Sequence, residues 1–149
     1  KNCKFIDCEF IDCDLSNAKI LQTAFQNCSF VNCKLLGLRW EDASDFLFEV
    51  GFENCNLSHS SFYGMSISKT QFLDCNCTGI DFVNADLTSA NFENSDLMDC
   101  KFDNTNLEKV NFLGVMNLVL DPEQNNIQNA SLSLDQLPAL LYKHNIEIV

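Results

Sequence analysis

Several kinds of residue that carry chemistry or membrane insertion are scarce in this sequence. Lysine and arginine together number 9 against 21 aspartates and glutamates, giving a formal charge of −12 at pH 7. Nucleic acid or an anionic membrane would be repelled by that charge, so a basic protein partner is its natural complement. Only 2 histidines occur, and no glycine-rich phosphate loop is present. No apolar run approaches a bilayer span, and the start lacks the basic, apolar and small-residue regions of a secretory signal. The expectation is a soluble, cytoplasmic protein of one domain. Lys1 is not an initiator methionine, and the pattern described below is already in phase at Cys3, so upstream residues are expected. Glycine (5), proline (2) and tryptophan (1) are also few, an unusual usage for a globule.

Against these shortages stand 13 phenylalanines and 9 cysteines. Their placement is periodic. From Phe5, every fifth residue is Phe10, Leu15, Ile20, Phe25, Phe30, Leu35 and Trp40, all large and apolar. A second series runs from Phe52 through Leu57, Phe62, Ile67, Phe72, Cys77, Phe82, Leu87, Phe92, Leu97, Phe102 and Leu107 to Phe112. Two residues before each centre stands a partner, usually small, and eight of the nine cysteines are partners. A period of five fits neither an amphipathic helix nor an ordinary strand. Each unit is therefore one short side of a coil, and repetition of this kind decides the architecture.

The units from Ala85 to Gly114, "ADLTS", "ANFEN", "SDLMD", "CKFDN", "TNLEK" and "VNFLG", resemble those of the pentapeptide-repeat family, with Lys101 as the one departure at the second position. The resemblance implies an all-β solenoid, a right-handed quadrilateral β-helix in which residues 20 apart stack. Phe52, Phe72, Phe92 and Phe112 then form one core ladder, and Phe62, Phe82 and Phe102 another. The repeat region is expected over residues 1–132, with an interruption at 117–126.

The two series differ in phase by two residues, which places a bulge or insertion in "EDASDFLFEV", residues 41–50. This segment holds Phe46 and Phe48, the two phenylalanines outside the pattern. Two readings stand: a protruding recognition loop, or a bulge whose aromatics cover the coil. Residues 133–149 read as a terminal cap. Asp135 is a candidate N-cap for a helix from about Gln136 to Lys143, with Pro138 in its first turn, followed by strand-like alternation at Ile146 and Ile148. A solenoid end requires such a cover. This end also resembles the C-terminal helix and tail of Qnr-type and MfpA-type members, which implies a homodimer through Leu137, Leu140, Leu141, Ile146 and Ile148.

Charge is regional. From Glu41 to Glu108 there are 13 acids and only two bases, Lys69 and Lys101. No acid occupies an inward position, so Asp81, Asp86, Glu93, Asp96, Asp99, Asp103 and Glu108 are expected to face solvent as a candidate partner-binding surface. The same resemblance implies a protein partner such as DNA gyrase, met by an acidic mimic of duplex DNA; a merely solubilising surface is the other reading. The charge is expected to be sparser than that of DNA, and Lys101, stacked on Asp81, to neutralise it locally.

Catalysis needs a pocket that shifts a side chain's pKa, and flat solenoid faces offer none. His59 and Ser61 on an outer side read as solvated surface, not as a nucleophile pair. Structural zinc needs four converging ligands, whereas stacked cysteines such as Cys8 and Cys28, Cys13 and Cys33, or Cys55 and Cys75 run parallel. Parallel Cβ vectors also disfavour disulfides. The expectation is free, buried thiols, no cofactor, no metal and no enzyme activity.

Overall fold

A computed structural model describes residues Lys1–Val149, and the chain forms a β-solenoid. Its sides are short: β1 (Lys4–Ile6), β2 (Glu9–Ile11), β3 (Ala24–Gln26), β4 (Cys28–Val31), β5 (Val50–Glu53) and β6 (Phe72–Leu73). All pair in parallel, β1 with β3 and β2-β4-β5-β6 in sequence. Single bridges at five-residue intervals continue the pattern, as in Asn56↔Asn76, Ser61↔Asp81, Ser66↔Asp86 and Gln71↔Asn91. Four such bridges in twenty residues make a four-sided coil.

We number the faces by their central columns. Face I carries Phe10, Phe30, Phe52, Phe72, Phe92 and Phe112; face II carries Leu15, Leu35, Leu57, Cys77 and Leu97. Face III carries Ile20, Trp40, Phe62, Phe82 and Phe102, and face IV carries Phe5, Phe25, Ile67, Leu87 and Leu107. Rings stack along each column and meet edge to face across the interior from opposite faces: Phe82 lies 5.6 Å from Phe62 and 5.3 Å from Phe102 in its own column, and 5.7 Å and 5.6 Å from Phe72 and Phe92 on face I. Both arrangements are favoured by the ring quadrupole. Phe62, Phe72, Phe82, Phe92 and Phe112 are fully buried, but Phe102 is only partly so, because the chain above it on face III leaves the coil.

The partner position has a second requirement besides size. Its side chain donates to the carbonyl of a central residue in the preceding coil: Ser95 Oγ to Phe72 O (2.7 Å), Thr105 Oγ1 to Phe82 O (2.8 Å), Ser60 Oγ to Leu35 O (2.9 Å) and Cys55 Sγ to Phe30 O (3.2 Å). Cys28, Cys33 and Cys100 do the same. A buried carbonyl left unpaired would be costly, but Phe82 O and Cys77 O also accept the backbone N–H groups of Ala85 and Ile80, so where the turn itself supplies a donor alanine can share this site with cysteine, serine and threonine.

A backbone requirement fixes the last residue of each unit. The residue two after the centre has φ near +50 to +70°, at Asn54, Gly64, Asp74, Gly79, Asn84, Asn94, Asp99 and Asn104 among others. Asparagine, aspartate and glycine tolerate this left-handed region best. Gly79 is needed for space as well, since a Cβ there would sit 2.6 Å from His59 Nδ1.

The nine cysteines are all free, but not all are buried: Cys3 is exposed, and Cys8, Cys13 and Cys100 are partly exposed. Cys3, Cys8 and Cys13 stand at the first coil, which has no coil beneath it. Burial pushes the Cys77 thiol well above its ordinary value and Cys100 up to about 12. Cys75 is raised by its hydrogen bond to Cys55 and by burial.

The phase slip lies within residues 44–48. Ser44 N–H still donates to Thr23 O, but Glu49 N–H donates to Phe25 O, and from Cys28↔Val50 onward the register is displaced by two. Phe48 turns inward against Trp40 (6.2 Å), while Phe46 and Leu47 are 67% and 65% exposed. Phe48 thus covers the coil, whereas Phe46 and Leu47 protrude from it.

At the other end, faces I and IV resume at Asn111↔Ser131 and Asn106↔Asn126, and Asn125 donates to Phe102 O as a partner residue would. Leu118 and Leu120 are buried beneath the C-terminal turns, and Leu120 N–H donates to Ala139 O. These turns are 3-10 helices, Leu134–Leu140 and Tyr142–His144, not one helix from Gln136 to Lys143. Pro138 cannot donate the bond a continuing α-turn needs. The N-cap is Ser133, not Asp135: its side chain caps the Gln136 N–H while Gln136 Oε1 accepts from Ser133 N–H, a reciprocal box. Residues 145–149 form no strand. Lys143 Nζ donates to Asp121 (3.0 Å) and Glu123 (2.7 Å), tying the cap to the loop that replaces face III.

Candidate functional site

The seven candidate carboxylates are all at least partly exposed, but they do not share a face. Glu93 lies on face I, Asp96 and Asp99 on face II, Asp81 and Asp103 on face III, and Asp86 and Glu108 on face IV. The rod is therefore acidic around its circumference.

Three of these aspartates have local work. Asp81 Oδ1 accepts from Val83 N–H (2.9 Å), Asp86 Oδ1 from Thr88 N–H (3.0 Å) and Asp96 Oδ1 from Met98 N–H (3.0 Å), each capping a corner. Asparagine does the same at Asn76, Asn91, Asn106 and Asn111, at 2.9–3.1 Å. The amide oxygen satisfies the corner as well as the carboxylate does. The fold thus demands an acceptor at these places and not a charge. Sequence reading saw polar residues here without this cause; the signal was the interchange of aspartate with asparagine before the centre.

The charge is denser than the sequence suggested. A coil advances about 4.8 Å per 20 residues, so Glu41 to Glu108, net −11, occupies about 16 Å. That is one charge per about 1.5 Å, against about 1.7 Å in duplex DNA. Lys101 is the bridge neighbour of Asp81 but forms no ion pair with it; the ion pairs belong to Arg39, with Glu41 and Asp42, and to Lys143. Lys143 holds the Asp121 carboxyl below its ordinary range.

His59 and Ser61 do not form a nucleophile pair. The Ser61 hydroxyl instead hydrogen-bonds Glu41 Oε1 at 2.9 Å. No group of three or more histidine, cysteine, aspartate or glutamate side chains has the geometry of a metal site. At the C-terminal end Leu140 is partly buried against the core, whereas Leu137, Leu141, Ile146 and Ile148 are exposed. The structure thus separates one capping side chain from four that face outward.

Two family models match the chain: pentapeptide repeats (8 copies) over residues 1–43 and a pentapeptide repeat region over residues 46–117. Together they cover about three-quarters of it. The chain belongs to the pentapeptide-repeat family. The break between the matches falls in the segment where the register slips. No curated protein sequence matches this pentapeptide-repeat chain. Similar solved structures include a pentapeptide repeat protein from the thylakoid lumen of Arabidopsis thaliana, at 19% identity and TM-score 0.48, covering 87% of this chain and 72% of that one. Another is trypsin-treated QnrB1 (R167E), a plasmid-mediated fluoroquinolone resistance protein, at 14% identity and TM-score 0.35, covering 98% and 99%. A third is Rfr23 from the cyanobacterium Cyanothece 51142, at 14% identity and TM-score 0.38, covering 90% and 86%. None of these likenesses carries a function to this pentapeptide-repeat protein.

Proposed function

We propose that this chain is a noncatalytic macromolecule-binding rod whose outward carboxylates stand in for the phosphates of duplex DNA on a basic protein cleft. The observation that carries this reading is the charge density, close to that of the duplex, on a fold whose corners need only an uncharged acceptor. A charge that the fold does not require is available to a partner. The candidate partner is a type II topoisomerase such as DNA gyrase, which binds duplex DNA as substrate. The test is a gyrase supercoiling assay across protein concentration, with and without a fluoroquinolone. Inhibition of supercoiling, or protection from the drug, is the expected outcome; neither effect at any concentration refutes the mimic.

The second reading is an interaction scaffold for an unrelated protein, with the carboxylates serving solubility. The spread of the acids over all four faces favours it. Under this reading supercoiling is unchanged and affinity capture from the source cell recovers a partner without DNA-binding activity. In either case the exposed Leu137, Leu141, Ile146 and Ile148 are the proposed homodimer contact, and a monomer mass by sedimentation at micromolar concentration would contradict it.

A further inference from the structure

The bulge at residues 44–48 is where the solenoid is least regular and most open. Face IV bridges join Lys4 to Ala24, and Ser66 to Asp86, Asn106 and Asn126, but none joins Ala24 through the bulge to Ser66. Asp86 N–H donates to Met65 O in the coil below it, whereas Ser66 N–H has no backbone acceptor in the bulged coil. A groove of about 740 Å³ opens on one flank, lined by Asp7, Glu9, Leu47, Glu49 and Lys69 among others. A second, of about 480 Å³, opens on the other, with Glu41, Asp45, Phe48 and Tyr63.

Two features of this region are hard to account for by folding alone. Leu47 has φ +54°, and every other non-glycine residue in that region of backbone space is polar or charged. Together with Phe46 it exposes an apolar pair between the grooves. In the second groove, Glu41 Oε2 is buried and has no hydrogen-bond partner. Its Oε1 is held by Ser61 Oγ at 2.9 Å and by Arg39 Nε at 3.4 Å, which fixes the carboxylate at the groove wall.

We propose that the bulge is a docking site for an extended, basic segment of a partner protein, whose apolar side chains cover Phe46 and Leu47. The occupant follows from the charges: the two grooves bring together five carboxylates, Asp7, Glu9, Glu41, Asp45 and Glu49, against the ammonium of Lys69 and the Arg39 guanidinium paired with Glu41. A second copy of this −12 chain would meet like charge. Glu41, Asp45 and Glu49 count toward the charge of the rod, but none of the five is among the seven carboxylates neutralised to test the mimic, so the two ideas can fail separately.

The experiment uses the whole chain and a fluorescein-labelled nonapeptide alternating arginine and leucine, read by anisotropy. Wild type binds; the pair Phe46→Ser and Leu47→Gly, and separately the pair Glu41→Gln and Glu49→Gln, each weaken binding about tenfold or more. Glu93→Gln with Asp96→Asn, which removes the same charge elsewhere, changes it less than about twofold. Three results would overturn the site: no binding by wild type, unaltered binding by the Phe46/Leu47 variant, or an equal loss in the Glu93/Asp96 control, which would mark general attraction to an acidic rod. Loss of concentration-dependent self-association in the Phe46/Leu47 variant, seen by sedimentation, would instead make the bulge an interface between copies and equally contradict the proposal.

Discussion

The run from Phe52 to Phe112 and the segment from Glu41 to Val50 are built from similar residues, phenylalanine, small side chains and acids, yet they use them in opposite ways. In the regular run a phenylalanine arrives every tenth residue and stacks on the aromatic ring of the preceding coil. In residues 41–50 two extra residues break that register, so Phe48 reaches the core while Phe46 faces water. The side chain does not decide its own burial; its place in the repeat does.

The largest effect that would break this contrast is a truncation in the ladder. Phe82→Ala removes a fully buried ring with four aromatic neighbours, and is expected to cost about 3–5 kcal/mol in urea unfolding. Phe46→Ser, the same residue type in the bulge, is expected to stay within about 0.5 kcal/mol. Equal costs would mean that the bulge is folded over in solution. Next comes Ser95→Ala, which removes the donor to Phe72 O and the acceptor for Cys75 N–H; a loss of about 1–3 kcal/mol is expected by the same measurement. Leu47→Gly reverses the sign, because glycine enters the left-handed region without strain, and stability is expected to rise by about 1 kcal/mol.

The pH axis gives a smaller contrast, since residues 41–50 hold no cysteine while the regular run holds the buried thiol of Cys77 and the partly buried one of Cys100. Both are raised by burial, so the folded chain keeps protons that the unfolded chain releases. Stability is therefore expected to be level below the ordinary thiol value, about 8.5, and to fall as pH rises from there toward 12. Urea midpoints between pH 7 and 11 check this, and a midpoint that rises over that range would contradict it.

The repeat was legible in the sequence because a period of five leaves apolar centres in two unbroken series, and the two-residue slip was legible because those series disagree in phase. What was not legible depends on backbone geometry. Nothing in "DFLF" distinguishes Phe48, partly buried against the core, from the exposed Phe46. The donor role of Ser95, Thr105 and Cys55 was hidden by their smallness, which already explained their place. The cap could have been read more closely: Ser133 and Gln136 have the spacing of a reciprocal box, but Asp135 stood nearer the apolar run. The charge surface was legible in count but not in density, because density needs the rise of the coil.

The smallest expected effect on folding is also the sharpest handle on function. Replacing Asp81, Asp86, Asp96, Asp99 and Asp103 by asparagine and Glu93 and Glu108 by glutamine keeps every corner acceptor while removing seven charges. Unfolding should shift by less than about 0.5 kcal/mol per site. The most direct test of the claim that this charge serves a partner is the concentration of protein that half-inhibits gyrase supercoiling, compared between wild type and this variant. Inhibition by wild type, weakened about tenfold or more in an equally stable variant, is the predicted result; equal inhibition by both proteins, or none by either, would contradict it.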